Sequence, residues 1–419
     1  VRNAVLVLAL IIIAAKIGGE LLGRLGQPPV LGELLMGVLL GNLSLFGITA
    51  LEPLRDNAML EAVAQIGAIL LLFEVGVESD LFQLLAVGWS SLVVATLGVI
   101  APMVLGYAVS AQLLPDAGWL THLFVGGTLT ATSVGITARV LKDLRKSNTK
   151  EARIILGAAV ADDVIGLVVL AVVSGLVSAA TAASGGGGSV SWSAILWIVL
   201  KASLFLTIAV IVGRFWSQRV FKHAAKLQVP GVLLGLCICF CFVVAAISGW
   251  VGLAPIVGAF AAGVVLEEVH YKPFRERGER KVEELLFPIT TLIVPVFFVM
   301  MGFRVDLKSF ASPAVLGFAA LITLVAIVGK QICGLGVLER GTDRLAIGVG
   351  MIPRGEVGLI FAGMGSTLLL GGKPVLSQTT FSALVLMVML TTFITPPLLK
   401  LAFERKKSAK QAEHVSIPT

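Results

Sequence analysis

Charged residues are scarce in this chain. Asp, Glu, Lys and Arg make up 14% of its 419 residues, and 57% are hydrophobic. An ordinary soluble protein carries about 25% charged residues. The shortage excludes a water-soluble domain of this length and leaves an all-α polytopic membrane protein, to which residues-per-domain expectations do not apply. Cysteine is equally sparse, and the four present form no disulfide pattern. Cys237, Cys239 and Cys241 lie in one apolar segment and Cys333 in another. Thiols two residues apart on a helix point in different directions, so they read as small packing residues rather than a metal site. The four histidines, His122, His223, His270 and His414, fall in loops, at segment ends or in the tail. Solvated or interfacial imidazoles are expected there. No His/Cys cluster suits a transition metal, no nucleophile–base–orienter set suggests an enzyme, and no cofactor is expected. The first apolar run continues to Leu22 without a small-residue cleavage site, so it reads as a span, not a cleaved signal. Because the chain starts at Val1, an initiator or short leader is expected before it.

Long apolar runs, by contrast, fill the chain. Thirteen segments are each bounded by charged or Gly/Pro-rich turns: 3–22, 29–47, 58–77, 87–113, 121–141, 152–179, 193–216, 229–248, 251–267, 284–302, 311–338, 343–368 and 376–402. With the N-terminus outside, the odd-numbered loops and the C-terminal end fall inside and hold 22 Lys and Arg, including Lys142, Arg145, Lys146, Lys272, Arg275, Arg277, Arg340 and Arg405. The outside keeps 5: Arg2, Arg55, Arg304, Lys308 and Lys373. That asymmetry points to N-out, C-in under the positive-inside rule. Glu78 and Asp80 also fall inside, but acids count little in this rule. The net charge of +7 follows from this topology and does not indicate nucleic acid. The loop Ala180–Ser193, with its run Ser184-Gly-Gly-Gly-Gly-Ser189, reads as a flexible outside linker. The polar tail after Phe403 is expected to be partly disordered, with no nucleotide-binding domain after it.

Within the sixth segment stand two adjacent acids, Asp162 and Asp163. An ionisable group at bilayer depth is costly and marks an ion or proton pathway. Two other segments are interrupted near their centres. The fifth carries Thr128, Thr130, Thr132, Ser133, Gly135 and Thr137, and the twelfth carries Gly350, Pro353, Arg354, Gly355, Glu356 and Gly358. Broken helices at corresponding places in two halves are the best sequence pointer to a transport site, since a break frees carbonyls and half-helix ends. Segments four to six and eleven to thirteen would be the inverted units. At 1.5 Å per residue, Asp162, Thr132 and Pro353 each lie about 15 Å from a segment end, near the middle of a core about 30 Å thick.

Adjacent helical residues diverge by about 100°, so one aspartate can face an aqueous cavity while the other meets a partner. Lys330, about 12 Å from the inner end of segment eleven, is the expected counter-charge. Arg354 and Glu356 form a second charged pair within a break, either a structural salt bridge or an ion contact. A carboxyl group taken out of water holds its proton more tightly. It can then carry a proton and a cation in turn, and that competition couples their opposite movements. Oxygen ligands from Asp, Thr and carbonyls suit a hard cation. The expected sites are Asp163, Asp162, Thr132 and Ser133 for cation and proton, with Asp163, Asp162 and Thr132 around Na+.

At these residues the chain resembles the cation–proton antiporter superfamily, and most closely its NapA-like sodium/proton antiporters. The matching stretches are Gly26–Glu33 (GQPPVLGE), Leu129–Arg139 (LTATSVGITAR), Gly157–Val164 (GAAVADDV) and Pro353–Val357 (PRGEV). The resemblance covers essentially the whole chain. It implies an NhaA/NapA-like inverted-repeat fold of thirteen helices with two crossing broken helices, assembled as a homodimer. It implies a scaffold and dimerisation domain at 1–80 and 229–302, an ion-translocating core at 87–179 and 311–402 moving as an elevator, a linker helix at 193–216 and a cytoplasmic tail at 403–419. Asp163 matches the family's essential ion-binding carboxylate. Asp162 and Lys330 match the aspartate–lysine pair of electrogenic members, which implies two protons per sodium. The glutathione-gated potassium-efflux branch usually has Gln-Asp here and a large nucleotide-binding C-terminal domain, and this sequence has neither. Glu74 and Glu78 read either as an acidic inner funnel or as ordinary interfacial acids.

The expected function is secondary antiport of Na+, with Li+, against H+ across a bacterial inner membrane, serving pH homeostasis. Potassium/proton exchange is the first alternative. A sodium-coupled organic anion symporter is the alternative of another class, but it has no need for an exchangeable Asp-Asp pair. A channel would require a selectivity-filter loop, which is not visible.

Overall fold

The computed structural model describes the chain except for residues 1, 49–50, 52–56, 79–87, 185–191, 228, 230, 267–273, 275–279, 340 and 416–419. The expectations for Arg55, Asp80, His270, Lys272, Arg275, Arg277, Arg340 and the glycine run 185–188 lie outside the described residues. In chain order the helices are α1 (Arg2–Arg24), α2 (Pro29–Gly41), α3 (Ala58–Glu78), α4 (Trp89–Leu113), α5 (Trp119–Thr128), α6 (Val134–Asp143), α7 (Lys150–Ser184), α8 (Trp192–Ala224), α9 (Val232–Trp250), α10 (Pro255–Val265), α11 (Val282–Phe303), α12 (Pro313–Cys333), α13 (Arg344–Gly350), α14 (Glu356–Thr367) and α15 (Gln378–Val415). Among the described residues, nine helices are long and apolar enough to cross a membrane. The shorter α2 and α10 and the interrupted pairs α5/α6 and α13/α14 bring the tally into line with thirteen segments.

Proline and glycine punctuate these helices as their chemistry requires. Pro29, Pro255 and Pro313 open α2, α10 and α12, where the missing N–H has no helical partner to lose. Two boundaries differ from expectation. Helix α7 continues through Ser184, because Ala179, Ala180, Ala182 and Ala183 favour helix over loop. Helix α15 continues to Val415, because its polar end is rich in Lys, Ala, Glu and Gln, all good helix formers.

The chain divides into two compact units: Val1–Gln83 with Val168–Asp306 and Leu369–Lys373, and Leu84–Leu167 with Leu307–Leu368 and Pro374–Thr419. The first holds α1 to α3, the later part of α7, and α8 to α11. Its helices cross at glycines. A Cβ on Gly37 of α2 would lie 2.1 Å from the Val299 carbonyl oxygen of α11, and one on Gly302 would lie 2.1 Å from that of Leu34. Such contacts are how membrane helices, with no water to expel, gain dispersion energy. Cys237 and Cys241 pack among Phe73, Phe221, Ala245 and Ala259. The Glu74 carboxylate accepts a 3.0 Å hydrogen bond from the Thr290 hydroxyl, and Glu61 pairs with Arg304.

The second unit is built around α4 and α12. The start of α7 packs Ile155, Ala158 and Ala159 against Val94, Ala95, Cys333, Ile347 and Met351. Gly329 of α12 lets Pro102 of α4 approach, since a Cβ there would sit 2.9 Å from the Pro102 Cα. His122 departs from the solvated histidine that was expected. It is buried, with Nδ1 2.9 Å from the Ser110 hydroxyl and its ring edge-on to Tyr107. The first turn of α5 lies against α4, so a residue near a segment end is here covered by a neighbouring helix. His223 stays exposed, as expected.

Replacing Gly37 with Ala should lower unfolding stability by about 1–3 kcal/mol through overpacking. Gly317→Ala, whose Cβ would meet nothing within 4 Å, should be neutral or stabilising. Thermal unfolding of the detergent-purified variants checks this, and equal midpoints would contradict the close α2–α11 crossing.

Candidate ion-binding site

Every residue singled out for the site lies in the second unit. Helix α5 ends at Thr128, and α6 resumes at Val134. The Thr128 and Thr130 hydroxyls return to the carbonyls of Phe124 and Gly127, at 2.9 and 2.7 Å. Such back-bonding competes with the helical ladder, so the threonine-rich stretch stops there. Helix α13 starts cleanly, because the Asp343 carboxylate accepts from the backbone N–H of Leu345 and Ala346. It ends after seven residues at Gly350, and α14 begins at Glu356. Pro353 offers no N–H to continue the ladder.

Each break supplies what the other has lost. The Ser133 N–H donates to the Pro353 carbonyl at 2.9 Å. The Thr137 hydroxyl donates to Gly350 O at 2.7 Å, and the Thr132 hydroxyl to Met351 O at 3.2 Å. Gly355 permits this approach, because a Cβ there would stand 2.6 Å from that of Ser133. On α7, Gly166 meets Thr130 and Ala131 at ordinary contact distance. Gly166 shares a face with Asp162 and Asp163, at i+4 and i+3. That face is therefore turned toward the α5/α6 break.

Asp162 and Lys330 are both fully buried, and Lys330 Nζ donates to Asp162 Oδ1 at 2.9 Å. Gly98 of α4 makes room for them, since a Cβ there would be 3.3 Å from Nζ and 3.5 Å from Oδ1. Asp163 is 7% exposed, and its side chain has no ion pair among the described residues. Its Oδ1 and the second oxygen of Asp162 are buried without partners.

Of the two readings of Arg354 and Glu356, the structural salt bridge is not formed. The Arg354 guanidinium, fully buried, donates instead to the carbonyls of Ala131, Met351 and Ala326, at 3.3, 3.5 and 3.0 Å. Arg354 thus bonds both breaks and α12. Its own carbonyl accepts from the Thr392 hydroxyl of α15. Unbonded carbonyls at membrane depth are costly, and they outcompete a carboxylate two residues away. Glu356, partly buried, accepts from the Ser133 hydroxyl at 3.3 Å. Gly98, Ala326 and Thr392 were not foreseen. Each acts through space or a backbone atom, and only the small residue Gly98 left even a faint sequence signal.

A buried ion pair broken on one side leaves an uncompensated charge. Lys330→Ala should therefore destabilise the protein by about 3–5 kcal/mol. The double variant Asp162→Asn with Lys330→Met should lose much less than the two single changes summed. Equilibrium unfolding in a denaturing detergent series measures both, and an unaltered Lys330→Ala midpoint would contradict the pairing.

Comparisons with known proteins show the family. Residues 6–404 match the family model described as sodium/hydrogen exchanger, transmembrane. The chain is 37% identical to the high-affinity Na+/H+ antiporter NhaS3 of Synechocystis, over all of this chain and 93% of that protein. It is 35% identical to the Na+/H+–K+ antiporter GerN of Bacillus cereus, over 97% of each. In fold it is similar to the sodium proton antiporter MjNhaP1 of Methanocaldococcus jannaschii, with a TM-score of 0.68 at 18% identity, covering 97% of each chain. The broken helices, the buried acids and these matches together place the chain in the sodium/hydrogen exchanger family of multi-pass integral membrane transporters.

Proposed function

We propose that the chain exchanges Na+, and Li+, for H+ across a bacterial plasma membrane, with Asp163 as the group that carries proton and cation in turn. The observation that supports this most is the contrast between two neighbouring acids. Asp162 has a cation in Lys330 at 2.9 Å, while Asp163 is buried with none. An unpaired carboxylate removed from water is strongly disfavoured. Asp163 must therefore hold either a proton or a metal cation, and never both at once. One site with two exclusive occupants, turned alternately to the two sides, exchanges one for the other.

Asp162, Thr132 and Ser133 would complete the oxygen surroundings of the cation. The Thr132 and Ser133 hydroxyls each donate one hydrogen bond, which leaves their lone pairs free to face a cation. Lys330 as counter-charge supports electrogenic exchange of two protons per sodium. The charge asymmetry of the loops supports N-out, C-in insertion. A homodimer contact through 1–80 and 229–302 completes the reading. Potassium/proton exchange is the second reading, since the GerN relative is named for K+ as well as Na+.

Proteoliposomes with an inside-acid pH gradient test this. Sodium or lithium added outside should collapse the gradient at a rate that responds to membrane potential. Asp163→Asn should abolish the flux while leaving the purified protein folded. Response to potassium alone, under a clamp that does not depend on potassium, would replace the sodium reading. Activity retained by Asp163→Asn would remove that residue from the mechanism.

A further inference from the structure

Helices α8, α9 and α10 of the first unit contain no Asp or Glu, and neither does the turn Val251–Ala254 between the last two. Yet Lys201 stands on α8, partly buried, with no hydrogen bond or ion pair among the described residues. Its ammonium lies against the turn, since a Cβ on Gly252 would be 3.6 Å from Nζ. Lys201 also heads a groove of about 430 Å3 between α8 and α9. Leu204, Ile208 and Val212 line the groove from α8, and Phe240, Val243 and Ile247 line it from α9. Among the described residues, Lys201 is the one charged member of the lining, and Trp216 lines it farther along α8. Leu204, Ile208, Val212 and Val243 are each about half exposed, so the groove is open to its surroundings.

Helix lengths place the groove in the bilayer. The 19 residues of α9 rise about 28 Å, close to the hydrocarbon thickness of about 30 Å. Trp250, its last residue, is 85% exposed, and Trp197, one turn before Lys201 on α8, is exposed as well. Exposed tryptophans at helix ends mark the membrane interface. Lys201, against the turn that follows Trp250, therefore stands at headgroup level. From Lys201 to Trp216, α8 rises about 22 Å, more than the depth of one leaflet at about 15 Å.

We propose that this groove holds one anionic phospholipid, with its phosphate on Lys201 and one acyl chain lying between α8 and α9 toward Trp216. The assignment goes beyond the antiport reading and does not depend on it. Ordinary surrounding lipid covers any apolar face and needs neither a groove nor a charge. Here an apolar groove long enough for an acyl chain begins at a cation for which the three helices supply no anion, and a phospholipid satisfies both. The lysine stem can lie on the apolar wall while its ammonium meets the headgroup, and a lysine near a membrane surface attracts anionic lipid. A second copy of the chain would cover the wall but would have to bring an acid to Lys201.

Native mass spectrometry of the delipidated protein in detergent, titrated with dioleoyl-phosphatidylglycerol or dioleoyl-phosphatidylcholine, tests this. One phosphatidylglycerol per chain should bind before any other lipid and in preference to phosphatidylcholine. Lys201→Ala should weaken that binding about fivefold, the worth of one lysine beside anionic lipid, and Lys201→Arg should preserve it. Ala209→Phe, which fills the groove, should remove the tight site with Lys201 still in place. If Ala209→Phe fails to fold, the two Lys201 variants decide. Equal phosphatidylglycerol affinity in wild type and Lys201→Ala, or equal affinity of wild type for both lipids, overturns the proposal. Ala209→Phe that dissociates a dimer while lipid binding stays unchanged also overturns it, and assigns the groove to a second copy. No variant touches the candidate ion site, so failure here leaves the sodium/proton reading intact.

Discussion

A polypeptide at membrane depth has no water to bond its backbone, and that constraint governs the whole candidate site. Breaking a helix there exposes carbonyls and N–H groups that must find partners within the protein. This chain meets the demand by setting two breaks against each other. The Ser133 N–H reaches the Pro353 carbonyl, Thr132 and Thr137 reach the end of α13, and Arg354 bonds Ala131, Met351 and Ala326. Either break alone would be an unsatisfied gap in an apolar core.

The same constraint explains how charge is distributed. Arg354 serves carbonyls rather than a carboxylate, so its positive charge is spread over the crossing without neutralising an acid. Lys330 does neutralise one, Asp162, in a space kept open by Gly98. What remains is Asp163, buried with Oδ1 unpartnered, and Glu356, bonded to Ser133. A frame of cross-bonded breaks thus accompanies buried carboxylate oxygens that it does not bond. A buried carboxylate without a partner is costly, and this is why Asp163 is the residue proposed to exchange proton for cation.

In the first unit the packing is of a different kind. Gly37 with Gly302, and Gly76 with Gly263, let backbones cross without side chains between them. Dispersion and close fit hold these helices, and Glu61–Arg304 and Thr290–Glu74 add polar contacts. None of the ionisable groups proposed to carry ions belongs to this unit.

Much of this was legible in the sequence, because the bilayer imposes strong and simple rules. Apolar runs with charged ends reported the spans, and their Thr/Ser and Pro/Gly interruptions reported the breaks. Helix rise alone put Asp162, Thr132 and Pro353 at one depth. A buried lysine opposite two aspartates had almost nowhere else to find a partner. The salt-bridge reading of Arg354 with Glu356 failed for a definite reason. Proximity along the chain suggested it, but the geometry of two facing breaks presented three carbonyls to the guanidinium first. His122 looked interfacial by position and became buried because α4 covers it. Residue type and spacing therefore determined which groups would lie at membrane depth. Only the tertiary structure decided which of them bond, because backbone oxygens brought from distant helices compete for the same donors, and no one-dimensional pattern records where those oxygens will be.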